Sequence, residues 1–267
     1  MKLVRLLLIS TLTLALCAGM AQAEIMSVDF DSMSTSGQTT EALLDSATTG
    51  GTWSLNTTRG NESYTIAADD SGNGNLAFLS DDTSTNRTFE TFATIDLDTA
   101  VTLSSLGTGE TLDMTFQAAT RRSGNNKELQ YLLGDSSGTV GLEIAWNNDG
   151  NEVFLNGTSF ATGVSFSNVN PWDSTAATVF DVQISIHGDG DITGSFAGNA
   201  FPAGAALTGG IADIDQFVFA SADKSNSAKG GYLNDISMEV VPEPSMLVPL
   251  AAAFVLGIRH RCRLYAR

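Results

Sequence analysis

The stretch "EIAWNNDGNEVFLNG", Glu143–Gly157, decides the fold class of this chain. Apolar and polar residues alternate on both sides of Asp149 and Gly150, and alternation with a period of two is typical of a half-buried strand. Asp-Gly also suits the type I′ turn that joins antiparallel strands. The stretch therefore predicts a β-hairpin whose first strand ends near Trp146.

The same alternation recurs along most of the chain. It is found in four runs rich in Val, Ile, Phe and Thr, which span Thr88–Leu97, Thr111–Ala118, Val140–Trp146 and Val179–Ile186. Clusters of Gly, Asn, Asp and Ser separate the runs, and these residues favour turns because they tolerate positive φ. The best helical candidate is the short segment Glu41–Asp45. About a dozen short strands at hairpin spacing predict an all-β fold, an antiparallel β-sandwich or jelly roll.

Two short motifs resemble the concanavalin A-like jelly rolls, which include the laminin-G-like modules. One is the "VFLNG" of Val153–Gly157, and the other is the closing "GGYLNDISMEV" of Gly230–Val240. In that superfamily the final strand lies beside the first. The resemblance therefore implies that Gly230–Val240 pairs with a first strand over Ile25–Asp31, "IMSVDFD".

The first 23 residues have the order of a secretory signal peptide. Lys2 and Arg5 precede the apolar run Leu6–Leu16, and the small residues Ala21 and Ala23 follow it. The run is too short for an ordinary membrane-spanning helix. We expect cleavage after Ala23, which leaves one exported domain over residues 24–240.

Cysteine usage limits the chemistry of that domain. The only cysteines are Cys17 and Cys262, one in each terminal segment. We therefore expect no disulfide, no cysteine metal site and no thiol nucleophile in the domain. A lipoprotein interpretation of Cys17 is disfavoured, because bulky Leu16 stands where such signals carry a small residue.

The exported domain is strongly acidic. Between Glu24 and Val241 there are 29 acidic and 7 basic residues, a net charge near −22. Such a field repels phosphate backbones, so we expect no nucleic-acid partner. Two interpretations of the acidity stay open: solubility in a salty medium, which we favour, and binding of divalent cations.

A second apolar segment lies in residues 241–267. Pro242, Glu243 and Pro244 introduce it, and two prolines so close together interrupt a strand or a helix. Met246–Ile258 then supplies 13 mostly apolar residues. As a helix they would span about 20 Å, less than a bilayer core of ~30 Å. A basic cluster typical of a cytoplasmic membrane end follows at Arg259, Arg261 and Arg263.

Taken in order, these three features resemble the PEP-CTERM sorting signal of Gram-negative bacteria that make exopolysaccharide. The resemblance implies a short transmembrane helix that anchors the protein transiently in the inner membrane, until an exosortase processes it near Pro242–Pro244. It also implies a final location at the cell surface or in the extracellular matrix. An ordinary C-terminal membrane anchor is the alternative.

Candidates for catalysis are few. His187 is the one histidine of the domain, and a residue at a strand-to-turn junction is usually only exposed. Two pairs of carboxylates each share a strand face: Asp96 with Asp98, and Asp213 with Asp215. The Glu-x-Asp-x-x-Glu cluster typical of laminarinase-like jelly rolls is absent from the sequence, so we expect a protein that is not an enzyme.

Binding candidates are also few. Asp189 and Asp191 offer the hard oxygen ligands that Ca²⁺ prefers, although turn chemistry alone accounts for both residues. Trp172 follows a proline in a loop and is the best candidate for an exposed aromatic contact. Trp53 and Trp146 lie within strand patterns, where we expect core packing.

The predicted fold and the two predicted sorting segments together imply an exported, surface- or matrix-associated, non-catalytic β-sandwich protein that binds carbohydrate. Its partner would be an extracellular polysaccharide. The alternatives are a polysaccharide-acting glycoside hydrolase of jelly-roll fold and a purely structural matrix component.

We predict that the mature protein begins at Glu24, because Ala21 and Ala23 form an Ala-x-Ala cleavage pattern. N-terminal sequencing of the exported protein checks this start. A lipid-modified Cys17 at the N-terminus would contradict it.

Overall fold

The computed structural model describes residues 23–33, 40–55, 62–68, 75–81, 87–120, 127–147, 151–164, 179–223 and 229–242. These residues form two antiparallel sheets that pack face to face, which confirms the predicted all-β sandwich. The strands are β1 Ala23–Val28, β2 Thr48–Thr49, β3 Gly51–Leu55, β4 Glu62–Ala68, β5 Asn75–Asp81, β6 Arg87–Thr102, β7 Glu110–Thr120, β8 Lys127–Gly134, β9 Val140–Asn147, β10 Glu152–Leu155, β11 Thr158–Thr162, β12 Phe180–His187, β13 Ile192–Phe196, β14 Asn199–Ala200, β15 Asp213–Asp223 and β16 Lys229–Pro242. One α-helix, α1, spans Glu41–Ser46, and 3₁₀ helices span Phe30–Ser32 and Leu103–Ser105.

The two sheets divide the strands by long-range pairing rather than by position in the chain. One sheet has nine strands, in the order β14-β13-β12-β7-β16-β1-β2, with β5 pairing to β16 and β4 to β5. The other has seven strands, in the order β11-β10-β9-β8-β15-β6-β3. Half of the strand pairs join strands that are not consecutive in the chain, so sequence spacing alone does not reveal them.

The deciding hairpin forms as predicted. Asn147 of β9 opposes Glu152 of β10, the register that a two-residue turn at Asp149 and Gly150 requires. Those two turn residues lie outside the described residues. The next turn is fully described: Asn156 and Gly157 have φ values of 47° and 76° between the paired Leu155 and Thr158. Positive φ at both central residues is the geometry of a type I′ turn.

The first and last strands pair, as the jelly-roll resemblance implies. Ser27 of β1 lies opposite Ser237 of β16 in an antiparallel ladder. Strand β1 ends at Val28 rather than at Asp31, because Asp29 caps the following 3₁₀ helix by accepting a hydrogen bond from Ser32 N. At the other end, β16 continues past residue 240 to Pro242, which pairs with Glu110. Proline is tolerated there because it ends the strand.

Helix α1 protects the edge of the seven-stranded sheet. Thr40 caps the helix, and its hydroxyl accepts a hydrogen bond from Leu43 N. Asp45 and Glu41 then accept hydrogen bonds from the free backbone N–H groups of Trp53 and Leu55 in edge strand β3, at 2.7 and 2.8 Å. Satisfying these donors removes a surface on which another chain could add a strand.

Aromatic rings from both sheets meet in the core. Phe116 of the nine-stranded sheet contacts Tyr131 of the seven-stranded sheet, with ring centroids 5.0 Å apart. Phe196 contacts Trp146 in the same way, at 5.3 Å. Tyr131 also stacks on Phe219 within its own sheet, at 5.3 Å. These contacts join the sheets through a shared ring cluster. Aromatic pairs of this kind stabilise a fold by more than the burial of their surface area alone.

No helix within the described ranges is long and apolar enough to cross a membrane. The predicted signal peptide and the C-terminal apolar span fall outside those ranges, and both stay predictions.

Replacing Tyr131 with phenylalanine should stabilise the fold. The Tyr131 hydroxyl is buried and has no hydrogen-bond partner among the residues that the structure describes, and burial raises its pKa. Removing an unsatisfied buried hydroxyl should raise the free energy of unfolding by about 1 kcal/mol. Denaturant unfolding measures the change. Tyr131→Ala, which also removes the ring, should instead cost about 3–5 kcal/mol; a destabilised Tyr131→Phe variant would contradict the account.

Candidate functional site

The outer faces of the two sheets differ in character. Outward positions of the nine-stranded sheet, such as Thr115 and Gln183, are polar and exposed. In the seven-stranded sheet, Gln130, Leu132 and Ala145 are only 8%, 7% and 6% exposed, although strand alternation directs all three away from the core. The centre of this outer face is therefore more shielded from solvent than its margin, where Thr52 and Ser54 are exposed.

The centre of this face is a cluster of one amide and two carboxylates, which we call the Gln130 cluster: Glu128, Gln130 and Glu143. Gln130 Nε2 donates to Glu128 Oε1 at 2.7 Å and to Glu143 Oε1 at 2.9 Å. Asn147 Nδ2 also donates to Glu128, at 3.4 Å. Glu128 and Gln130 share strand β8, while Glu143 lies on the adjacent β9. The hairpin between these strands thus brings the three side chains together.

The geometry leaves one acceptor of Gln130 without a donor. Both amide hydrogens are used by the carboxylates, and Gln130 Oε1 is buried with no partner among the described residues. Rotating the amide by half a turn would direct Oε1 at two carboxylates, so the hydrogen-bond network fixes its orientation. An unsatisfied buried acceptor costs about 1–3 kcal/mol.

The electrostatics of the cluster favour protonation of Glu143. Partial burial raises the pKa of its carboxyl, and the nearby negative charge of Glu128 raises it further. The effect is opposite at Asp135, in the turn after β8, where hydrogen bonds from Ser137 and Thr139 lower the carboxyl pKa. The pKa values of the two carboxyls are therefore shifted in opposite directions, although both residues lie on the same hairpin.

An apolar surface adjoins the cluster. Phe154 of β10, Ala145 of β9 and Gln130 of β8 lie opposite one another in a single row across three strands. Phe154 is half-buried and lies outside the hydrophobic core. The row is about 10 Å long, two strand spacings, and has an aromatic ring at one end and a fixed amide at the other.

A second concave feature lies elsewhere. A cleft of 310 Å³ is lined by the 3₁₀ helix at Leu103, the turn at Asp189 and the loop at Leu207 and Ile211. Asp189 is its one ionisable side chain, and no aromatic residue lines it. It offers fewer convergent polar groups than the Gln130 cluster, and we regard it as the weaker candidate.

The proposed calcium ligands form a tight turn. Asp189 Oδ1 accepts a hydrogen bond from Asp191 N at 3.1 Å, and Gly190 has φ of 90°. Turn chemistry thus accounts for both residues, as the sequence indicated. No group of three or more His, Cys, Asp or Glu side chains suited to a metal ion occurs in the described part of the chain. Calcium binding at Asp189 and Asp191 stays a prediction.

Two of the three tryptophans take structural roles. Trp53 and Trp146 are buried, as predicted, and their indole N–H groups donate to Thr48 Oγ1 and Val164 O, both at 2.8 Å. Trp172 lies outside the described residues.

Both predicted carboxylate pairs are engaged by neighbouring strands and turns. Asp96 accepts a hydrogen bond from Gln216 at 2.6 Å and Asp213 accepts one from Thr102 at 2.6 Å. Asp215 accepts from Ser136 at 2.8 Å.

The terminal predictions stay largely untested. Ala23 is the first residue of β1, and Pro242 is the last residue of β16. The other residues of the cleavage and sorting motifs lie outside the described residues: Ala21, Glu243, Pro244, Arg259, Arg261 and Arg263.

Sequence reasoning missed the Gln130 cluster. The available signal was weak: "ELQYLLG" (Glu128–Gly134) and "LEIAWN" (Leu142–Asn147) both carry polar residues at outward positions, and a short turn joins them. Finding the cluster needed the register that pairs Leu132 with Glu143 and Gln130 with Ala145.

Comparison with known proteins finds only distant structural likenesses. Neither a protein-family model nor a curated protein sequence matches the chain. Among solved structures, an alginate lyase from polysaccharide lyase family 7 is 12% identical, with 80% of this chain and 94% of the lyase covered and a TM-score of 0.44. A carbohydrate-binding module from Bacillus subtilis is 10% identical, with 72% and 96% covered and a TM-score of 0.40. The globular domain of T. cruzi calreticulin is 12% identical, with 85% and 91% covered and a TM-score of 0.47. These identities and TM-scores are low, so the likenesses carry nothing about ligand or activity.

Glu143→Gln should change how stability depends on pH. Because the folded-state pKa of Glu143 is raised, the contribution of Glu143 to stability is fully present below its unfolded pKa of about 4.3 and is lost as pH rises through the folded value. The stability of the variant relative to wild type should therefore increase as pH rises from about 4 towards neutrality.

Asp135→Asn is the matched control of opposite sign. Its lowered pKa means that wild type gains stability over this variant above an unfolded pKa of about 3.9 and loses the advantage as pH falls. Urea unfolding of the three proteins across this pH range measures both trends. Parallel curves for wild type and Glu143→Gln would contradict the assigned environment of Glu143.

Proposed function

We propose that this protein is an exported, non-catalytic β-sandwich domain that binds carbohydrate on the outer face of its seven-stranded sheet. The observation that carries the proposal is the Gln130 cluster: a buried amide held by two carboxylates, with an acceptor that lacks a donor. Sugar hydroxyls are donors as well as acceptors, and they can donate to the carboxylate lone pairs that Gln130 leaves free.

The apolar part of the face supports the same ligand class. Phe154 is half-buried in the row that leads to Gln130, and it offers a flat apolar surface for the C–H face of a sugar ring. A surface with an aromatic ring and a few fixed polar groups is typical of small-molecule and glycan sites. Because the site lies on strands, its geometry is held by the sheet rather than by a loop.

A glycoside hydrolase is the second candidate, and one observation favours it. Glu128 and Glu143 contact the same amide nitrogen, at 2.7 and 2.9 Å, so their separation is comparable with the ~5–5.5 Å between the carboxyl groups of retaining glycosidases. We nevertheless favour a binding protein. Gln130 lies between the two carboxylates, where the glycosidic bond of a substrate would have to enter.

In this proposal the two terminal segments determine where the protein is located. A signal peptide would export the chain, and the tail from Pro242 would anchor it until an exosortase released it to the surface or the matrix. Processing at both ends would leave a mature protein that starts at Glu24 and ends close to Pro242, which intact mass measurement would show.

Binding to neutral and charged oligosaccharides, measured by glycan array and then by calorimetry, tests the proposal. Phe154→Ala and Gln130→Leu should each weaken binding about tenfold or more, because each removes a direct contact or its support. Gln183→Leu, an exposed change on the outer face of the other sheet, is the matched control and should leave binding unchanged.

A reducing-sugar assay on the same ligands separates the alternatives. A binding protein releases no sugar, whereas a hydrolase would lose turnover but retain binding in Glu143→Gln, which preserves shape and an acceptor for Gln130. The absence of both binding and turnover across the array would overturn the proposal and leave the purely structural role.

A further inference from the structure

The hydrogen-bond inventory of the Gln130 cluster restricts the ligand class further, on the assumption that the proposed carbohydrate site is correct. Gln130 uses both amide hydrogens on Glu128 and Glu143, and Asn147 directs an amide hydrogen to Glu128 as well. What remains for a ligand is the set of free lone pairs on the two carboxylates, because Gln130 Oε1 is buried. The cluster therefore needs a ligand that donates hydrogen bonds.

A second amide on this face has the same orientation. Gln216 of β15 donates through Nε2 to Asp96 Oδ1 of β6 at 2.6 Å, across the adjacent strand pair. Its amide, like that of Gln130, is turned towards a carboxylate. The arrangement repeats on the next two strands, β15 and β6, so the acceptor-rich character extends across the sheet.

The negative charge of the site favours some hydrogen-bond-donating ligands over others. Two carboxylates meet at one amide nitrogen, and none of the side chains described on this face is basic. A uronate or sulfate group placed here would add a third negative charge in a partly desolvated site, which is unfavourable. An ammonium group would supply three donors and a compensating charge, and its hydrogen bonds to carboxylates are of the stronger, charge-assisted type.

We infer that the site binds a polysaccharide that carries free amino groups, such as a partly de-N-acetylated hexosamine polymer, and that it discriminates against uronate polymers. An ammonium group lies on the solvent side of Glu128 and Glu143, beside the Gln130 amide, and donates to their free oxygens. Neighbouring hydroxyls donate to the remaining acceptors, and the sugar ring packs on Phe154. The acidic charge of the whole domain, near −22, attracts the same polymer over longer range.

Calorimetry with three oligosaccharide series tests the inference: glucosamine oligomers, the same oligomers fully N-acetylated, and uronic acid oligomers of equal length. At a pH where the amine is protonated, the glucosamine oligomers should bind about tenfold more tightly than the N-acetylated ones. The uronic acid oligomers should bind most weakly.

Matched variants separate the site from the general field of the protein. Glu143→Gln and Glu128→Gln should each reduce the preference for the amino sugar towards unity. Asp181→Asn removes the same charge from an exposed position on the outer face of the nine-stranded sheet, and it should retain the preference. Circular dichroism and unfolding midpoints confirm that each variant is folded.

The possible outcomes distinguish this inference from the proposed function. Equal binding of amino and N-acetylated oligomers, or tighter binding of uronates, would overturn the inference while the carbohydrate-binding function stands. A preference that Asp181→Asn reduces as much as Glu143→Gln would also overturn it, because the general field would then be the cause. Failure of every oligosaccharide to bind would overturn both.

Discussion

Contact between aromatic rings of the two sheets is the interaction on which the rest of the structure depends. Residues 24–240 contain no cysteine, so no disulfide can hold the sheets together. Instead Phe116 and Phe196 from one sheet meet Tyr131 and Trp146 from the other. These rings are fully buried, and their tight packing fixes how the sheets lie on one another.

This apolar core determines where polar chemistry is placed. In a strand, alternate residues face opposite sides, so strands that give their inner positions to the core keep their polar residues for the outer faces. The outer face of the nine-stranded sheet is exposed and is solvated by water. The centre of the outer face of the seven-stranded sheet is shielded around Gln130, and there polar groups need hydrogen-bond partners.

In the Gln130 cluster, hydrogen bonds within the protein satisfy most of the polar groups but not all of them. One amide supplies two donors, which suffice to hold Glu128 and Glu143 together despite their like charges. The same bonding leaves the amide oxygen without a donor. A site with a fixed shape and an unmet hydrogen bond is suited to binding, and the domain's acidity then favours donor and cationic ligands over anionic ones.

Much of the architecture was predictable from the sequence. Period-two alternation and the Asp-Gly turn signal indicated antiparallel strands, and the buried tryptophans followed from their strand patterns, because these signals depend on residues close together in the chain. The candidate site was not predictable. Glu128, Gln130 and Glu143 become neighbours only through the register of β8 with β9, and Gln216 meets Asp96 only because β15 pairs with β6. The exact register of the β8–β9 hairpin and the long-range pairing of β15 with β6, both shifted by bulges, decide which outward side chains meet, and alternation alone does not encode either.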